Sequence, residues 1–311
     1  MPESKNAIQQ YIIVTMAYWG FTLSDGALRM LVLLHFHQLG YSPFELALLF
    51  LLYEFFGMVT NLFGGWIGAR LGLRLILLMG LGMQIAALTL LSFFSNAWPQ
   101  TMQILFVLGA QGVSGIAKDF TKLSAKSAIR FLLPENATGR LFKWVALLTG
   151  SKNALKGAGF FMGGALLAWL DLKNALLVMA VGLAPLFLLV IMRLPKKMGQ
   201  SKKKTSITQI FSKSRAINLL SLARFFLFGA RDIWFVVALP VFLIDSLHWS
   251  FVQVGSYMAL WIIGYGIVQS AAPKLFRGSG DNATSDIRRL QRWAFLLALV
   301  PALIVLLPEL N

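Results

Sequence analysis

The sequence predicts an all-α polytopic membrane protein with nine transmembrane spans, and three observations carry that prediction. Hydrophobic residues make up 58% of the 311 and charged residues 13%, with a mean hydropathy of +0.72. That leaves too little polar surface to cover a soluble globule of this size. Apolar runs of roughly 20 residues, the length needed to cross the hydrocarbon, recur nine times. Between them, lysine and arginine collect in every second connection.

Taken in order, the runs cover about 11–38, 43–68, 74–95, 101–117, 142–169, 173–193, 216–245, 250–272 and 293–308. The first follows polar Pro2 to Gln10 and has no small-residue cleavage site, so it reads as a retained span and not a signal peptide. The connections near Gly40, Trp98 and His248 hold no Lys or Arg, and the one after the fifth run has only Lys173. The alternate connections hold Arg70 and Arg74; Lys118, Lys122, Lys126, Arg130, Arg140 and Lys143; Arg193 through Arg215; and Lys274, Arg277, Arg288, Arg289 and Arg292. This alternation places the N-terminus in the cytoplasm and accounts for the net charge of +16 without a nucleic-acid partner. Trp98, Trp169 and Trp249 then fall at the outer boundary, and Trp66, Trp144 and Trp293 at the inner one, as an interfacial belt. The Asn-X-Thr sequons at Asn136 and Asn282 lie on the cytoplasmic side and are chance matches.

The polar connection at 194–215, with Lys202, Lys203 and Lys204, divides an N-terminal six-helix bundle (1–193) from a C-terminal bundle (216–311) of three spans. Its basicity fits topology and contact with anionic lipid. A weak parallel repeat supports the division: Phe36 to Phe44 corresponds to Ile244 to Val252, a displacement of about 208 residues, which brings Asn61 into line with Gln269. Lys118, Lys122, Lys126 and Arg130 recur every four residues, so the fourth span is expected to continue into the cytoplasm as a helix whose basic stripe snorkels to headgroups.

Eight ionisable residues fall within spans: Asp25, Arg29, Glu54, Lys152, Lys156, Arg224, Arg231 and Asp232. Hydrocarbon tolerates charge only where it is paired or faces water, so each is a candidate functional residue. Lys152 and Lys156 sit one turn apart in an otherwise apolar run, on one helix face and without an acid in their own helix. Asp25 and Arg29 have the i, i+4 order that favours a pair along the helix, so a structural pair and a substrate or proton site are both open. Glu54 has no partner within a turn, and Asn61 shares its face. Asp25 or Glu54 is the expected proton-coupling carboxylate. Arg224 and Arg231 share a face, with Arg231 about 22 Å into its helix by helical rise. Asp232 points elsewhere, toward a neighbouring span.

Tyr257, Trp261 and Tyr265 form an i, i+4, i+8 stripe continued by Gln269, read as helix packing with one edge available to line a cavity. The glycines at 57, 64 and 68, at 112 and 115, and at 159 and 163 let helices approach closely. His35 and His37 fall on different faces at the outer end of the first span, as interfacial residues. No metalloprotease, nucleophile-elbow or phosphate-loop motif occurs, and Gly150, Ser151 and Lys152 lie inside a span with no preceding strand. With no cysteine in the chain, thiol chemistry is excluded. Neither catalysis nor a metal or cofactor is expected.

Two bundles around a basic linker, with a parallel repeat, resemble the major facilitator superfamily. Its signature between spans two and three is matched by Gly65, Arg70, Gly72 and Arg74, with Ala69 where an Asp is expected. The fifth-span motif of the family's antiporters is half present, in Gly150, Gly159 and Gly163, with Gly164 replacing a proline. The stretches Asp25 to Pro43, Ser114 to Arg130, Leu148 to Gly157 and Phe228 to Phe242 resemble the ArsJ-type organoarsenical efflux permeases, and the likeness runs through nearly the whole chain.

This resemblance implies a twelve-span fold, of which nine spans are present, in a bacterial inner membrane. It implies proton-linked export of 1-arseno-3-phosphoglycerate, the ester that cytoplasmic glyceraldehyde-3-phosphate dehydrogenase makes from arsenate. Lys152, Lys156, Arg29, Arg231 and Arg224 are then the expected substrate contacts. Asp25, Glu54 and Asp232 are the proton-coupling or ion-pair residues, and Asn61, Tyr257, Trp261, Tyr265 and Gln269 line the cavity. Export of another organic phosphate or an anionic drug is the near alternative, and a shortened product that does not transport is the distant one.

Overall fold

The computed structural model describes residues 2–129, 138–196, 198–199 and 233–275, with isolated helical residues between 215 and 227 and between 291 and 299. Every regular element among the described residues is helical. They are α1 (Pro2–Gln38), α2 (Pro43–Leu49), α3 (Leu51–Leu71), α4 (Leu73–Leu91), α5 (Gln100–Ala128), α6 (Thr138–Trp169), α7 (Leu172–Arg193), a π-helical turn (Ile233–Ala238), α8 (Leu239–Asp245) and α9 (Phe251–Leu275). Residues Met1–Ser270 form one compact unit; Ala271–Asn311 form a second, of which little beyond Leu275 is described.

The predicted second span is two helices, α2 and α3, broken at Phe50. Ser42 starts α2 with a capping box: its hydroxyl accepts from the Glu45 N–H, and the Glu45 carboxylate accepts from the Ser42 N–H at 2.8 Å. Between α3 and α4 the chain turns at Gly72 with φ of 84°, a backbone conformation that L side chains resist. The π-helical turn leads into Pro240, which lacks the N–H that an α-helix would use there. The fourth span does continue as helix to Ala128.

Pro43–Gly64, α4, α7 and Phe251–Ala271 are long and apolar enough to cross a membrane. α1, α5 and α6 are longer still, at 37, 29 and 32 residues, but less hydrophobic. The difference has a structural cause. These three helices carry most of the buried polar groups, among them Asp25, Arg29, Gln111, Ser114, Asp119 and Asn153, whereas α7 turns Val178, Val181, Leu188 and Met192 outward.

α1 is the central helix, packed on α6, α7 and α5, while α3 and α4 both pack on α5. α6 has two glycine faces. A Cβ at Gly159 or Gly163 would lie 2.4 Å and 2.5 Å from the carbonyl oxygens of Leu23 and Ala27 on α1. On the other side, a Cβ at Gly150, Gly157 or Gly164 would meet the carbonyls of Gly266, Ala259 and Phe251 on α9 at 2.5, 2.7 and 2.7 Å. The seven-residue spacing of this second set keeps it on one face. α6 is therefore held between α1 and α9 at backbone contact on both sides.

Candidate anion-binding site

The α1–α6 crossing fixes the depth of the intramembrane charges. Gly26 lies against the Lys156 carbonyl, where a Cβ would fall 2.5 Å from the oxygen. Asp25 and Lys156 are then each about 20 Å from the C-terminal ends of their helices by helical rise. Lys152 lies one turn nearer the N-terminus of α6, within electrostatic reach of Asp25, Lys156, Lys122 and Lys126. Lys156 also reaches Glu54 electrostatically, and its ammonium lies 5.8 Å from the Phe160 ring.

Tyr53, fully buried on α3, is the hub of the neighbouring cluster. Its hydroxyl donates to Asp25 Oδ1 through a short hydrogen bond. Its ring lies 4.2 Å from the Arg29 guanidinium and 4.1 Å from Lys118 Nζ, and Arg29 also lies 5.9 Å from the Phe50 ring. Both cations meet one carboxylate: Arg29 Nη2 donates to Glu54 Oε1, and Lys118 Nζ lies 3.2 Å from Glu54 Oε2. One turn along α3, Gly57 leaves room for α5 side chains, since a Cβ there would sit 2.8 Å from Asp119 Oδ2 and 3.2 Å from Lys118. Asp119 in turn accepts from Lys122 Nζ at 2.6 Å.

The structure supplies partners that the sequence left open, and corrects one expectation. Asp25 and Arg29 share a helix face; Arg29 pairs with Glu54, and Asp25 accepts from the Tyr53 hydroxyl. Glu54, lacking a partner along its own helix, bridges α1 and α5. Lys118 is not a headgroup-seeking residue. A helical side chain leans toward its helix N-terminus, which carries the Lys118 ammonium back along α5 to Glu54. Lys122 likewise has an acid partner.

The aromatic stripe of α9 divides. Tyr257 is partly buried and its ring packs 5.6 Å from Trp249, while Trp261 and Tyr265 are 58% and 51% exposed. Gln269 accepts from Asn153 of α6, and Asn61 is exposed on α3. Arg224, Arg231 and Asp232 lie outside the described residues.

Tyr53, Lys118, Asp119, Lys122 and Asn153 are site neighbours that sequence reasoning missed. One signal was available: Asp119 and Lys122 stand at i, i+3, the spacing of an intrahelical ion pair.

Among the described residues, Arg29, Lys118, Lys122, Lys152 and Lys156 thus gather near Asp25, Glu54 and Asp119, with more basic than acidic side chains. Desolvated charge in that imbalance attracts an anion. No curated protein matches the chain. The family model of the Major Facilitator Superfamily matches residues 11–310, nearly the whole length. With an all-helical membrane fold and charges gathered between its helices, this multi-pass membrane transporter belongs to the major facilitator superfamily.

Proposed function

We propose that the protein is a secondary-active exporter of a small, multiply anionic organic substrate, bound at Lys152, Lys156 and Arg29. The excess of basic over acidic side chains among the described residues of α1, α3, α5 and α6 is the observation that carries this. Arginine offers a planar fork to phosphate or arsenate oxygens, and lysines add point charge. The resemblance of its distinctive stretches to organoarsenical permeases favours 1-arseno-3-phosphoglycerate as cargo, supplied by glyceraldehyde-3-phosphate dehydrogenase, with arsenate resistance as the outcome. In this scheme the protein resides in a bacterial inner membrane with a cytoplasmic N-terminus, among anionic lipids. Efflux is coupled to inward proton flow through Asp25 or Glu54, and Arg231, Arg224 and Asp232 join the site from the seventh span. The other half of the cavity is contributed by Tyr257, Trp261, Tyr265 and Gln269, with Asn61 lining it from α3.

Uptake of labelled arseno-ester into inside-out vesicles tests the proposal. Lys152→Met and Lys156→Met are each expected to abolish uptake while membrane insertion stays normal; misfolding of both would instead assign the lysines to structure. Movement of a different organic phosphate, with none of the arseno-ester, would replace the cargo. Unchanged pH dependence in both Asp25→Asn and Glu54→Gln would remove these carboxylates from proton coupling.

A further inference from the structure

Within the cluster around Tyr53, the cations and the carboxylate they share are held very differently. The Arg29 side chain is 3% exposed and that of Lys118 is 23%, but Glu54 is 42% exposed. Arg29 lies over two aromatic rings and Lys118 over one, and both contact the same Tyr53 ring. Cation–π attraction of this kind persists when a carboxylate leaves, and it is stronger away from water. The ring itself is fixed by its hydroxyl bond to Asp25 and by the close crossing of α5, where Gly115 lies against the Tyr53 carbonyl. Arg29 and Lys118 thus keep contacts apart from Glu54, which is the most exposed of the three.

The two cations hold the two oxygens of one carboxylate, Oε1 by Arg29 and Oε2 by Lys118. A phosphate, arsenate or carboxylate presents a pair of oxygens at comparable spacing, so the same two donors fit an external oxyanion without rearrangement.

We propose that Arg29 and Lys118 form the seat for one oxyanion group of the substrate, and that Glu54 is the resident anion which the substrate displaces. This rests on the anion-exporter function proposed above and assigns to it Lys118, a specificity-determining residue that the sequence placed in the cytoplasm. Tyr53 is a positioning residue that keeps both cations in place during the exchange. A neutral substrate brings no oxyanion to this pair of cations.

Equilibrium binding of 3-phosphoglycerate, a stable organic phosphate, to the purified full chain in detergent tests the exchange. Removing the internal competitor in Glu54→Gln is expected to tighten binding about tenfold, the effect of ~1.4 kcal/mol. Lys118→Met is expected to weaken it by about the same factor, and Lys118→Arg to restore it. If Glu54→Gln is not monodisperse, Glu54→Asp, whose shorter arm reaches the cations less well, is expected to tighten binding by a smaller factor.

Binding no tighter than wild type in the available Glu54 variant, or unchanged binding in Lys118→Met, overturns the proposal. If those variants behave as wild type while Lys152→Met and Lys156→Met lose the ligand, the seat is wrong and the anion site stands. If neither the wild type nor any variant binds 3-phosphoglycerate or inorganic phosphate, both fall.

Discussion

At the scale of single residues, the site depends on a position with no side chain. A Cβ at Gly115 would lie 2.1 Å from the Tyr53 carbonyl oxygen, and backbone cannot rotate aside as a flexible side chain could. Gly115→Ala is therefore expected to push α3 from α5 at a cost of about 1–3 kcal/mol, seen as a lower unfolding temperature in detergent and weaker anion binding. Unchanged stability would mean that the two helices yield at no cost. The sequence shows which residues are charged within the membrane, because Asp25, Arg29, Glu54, Lys152 and Lys156 stand out against apolar neighbours. It does not show who pairs with whom. Arg29 and Glu54 are separated by 25 positions, and their meeting depends on the rotation and depth of two different helices, which periodicity along one helix leaves open.

At the scale of elements, the turn before α2 is secured by local chemistry that is readable in the chain. Ser42, Pro43 and Glu45 make a capping box, and Gln100 at the start of α5 donates to Glu45 at 2.7 Å. Ser42→Ala removes both the hydroxyl that Glu45 bonds and the acceptor for its N–H. The expected loss is about 1 kcal/mol of stability, measured by thermal unfolding, and no change would assign the helix start to Pro43 alone.

Apolar length places α4, α7 and α9 within a few residues of their expected bounds. It is less informative for α5. The basic stripe predicts that helix continues past residue 117, yet identical spacing would serve a lipid-facing or an inward-facing lysine. Only the position of Glu54 on the adjacent α3 decides for Lys118.

At the scale of the molecule, α6 joins the charged cluster to α9. Asn153 donates to Gln269, and a glycine track runs beside them. The chain contains no cysteine, so paired substitutions report distance against a silent background. Asn153→Cys with Gln269→Cys is expected to link through a short thiol reagent and to stop transport once linked. Failure to link would separate α6 from α9 in the membrane, and continued transport after linking would remove their relative motion from the cycle.

The two faces of α6 also bear on how movement reaches the ligand. Lys156 and Gly157 are consecutive residues, one on the side of the charged cluster and the other against the backbone of α9. A small roll of α6 along that track displaces the ammonium groups on its far side by the same rotation, with no intervening side chain to absorb it. In the proposed export cycle the helix acts as a cam, and anion affinity is tied to its contact with α9.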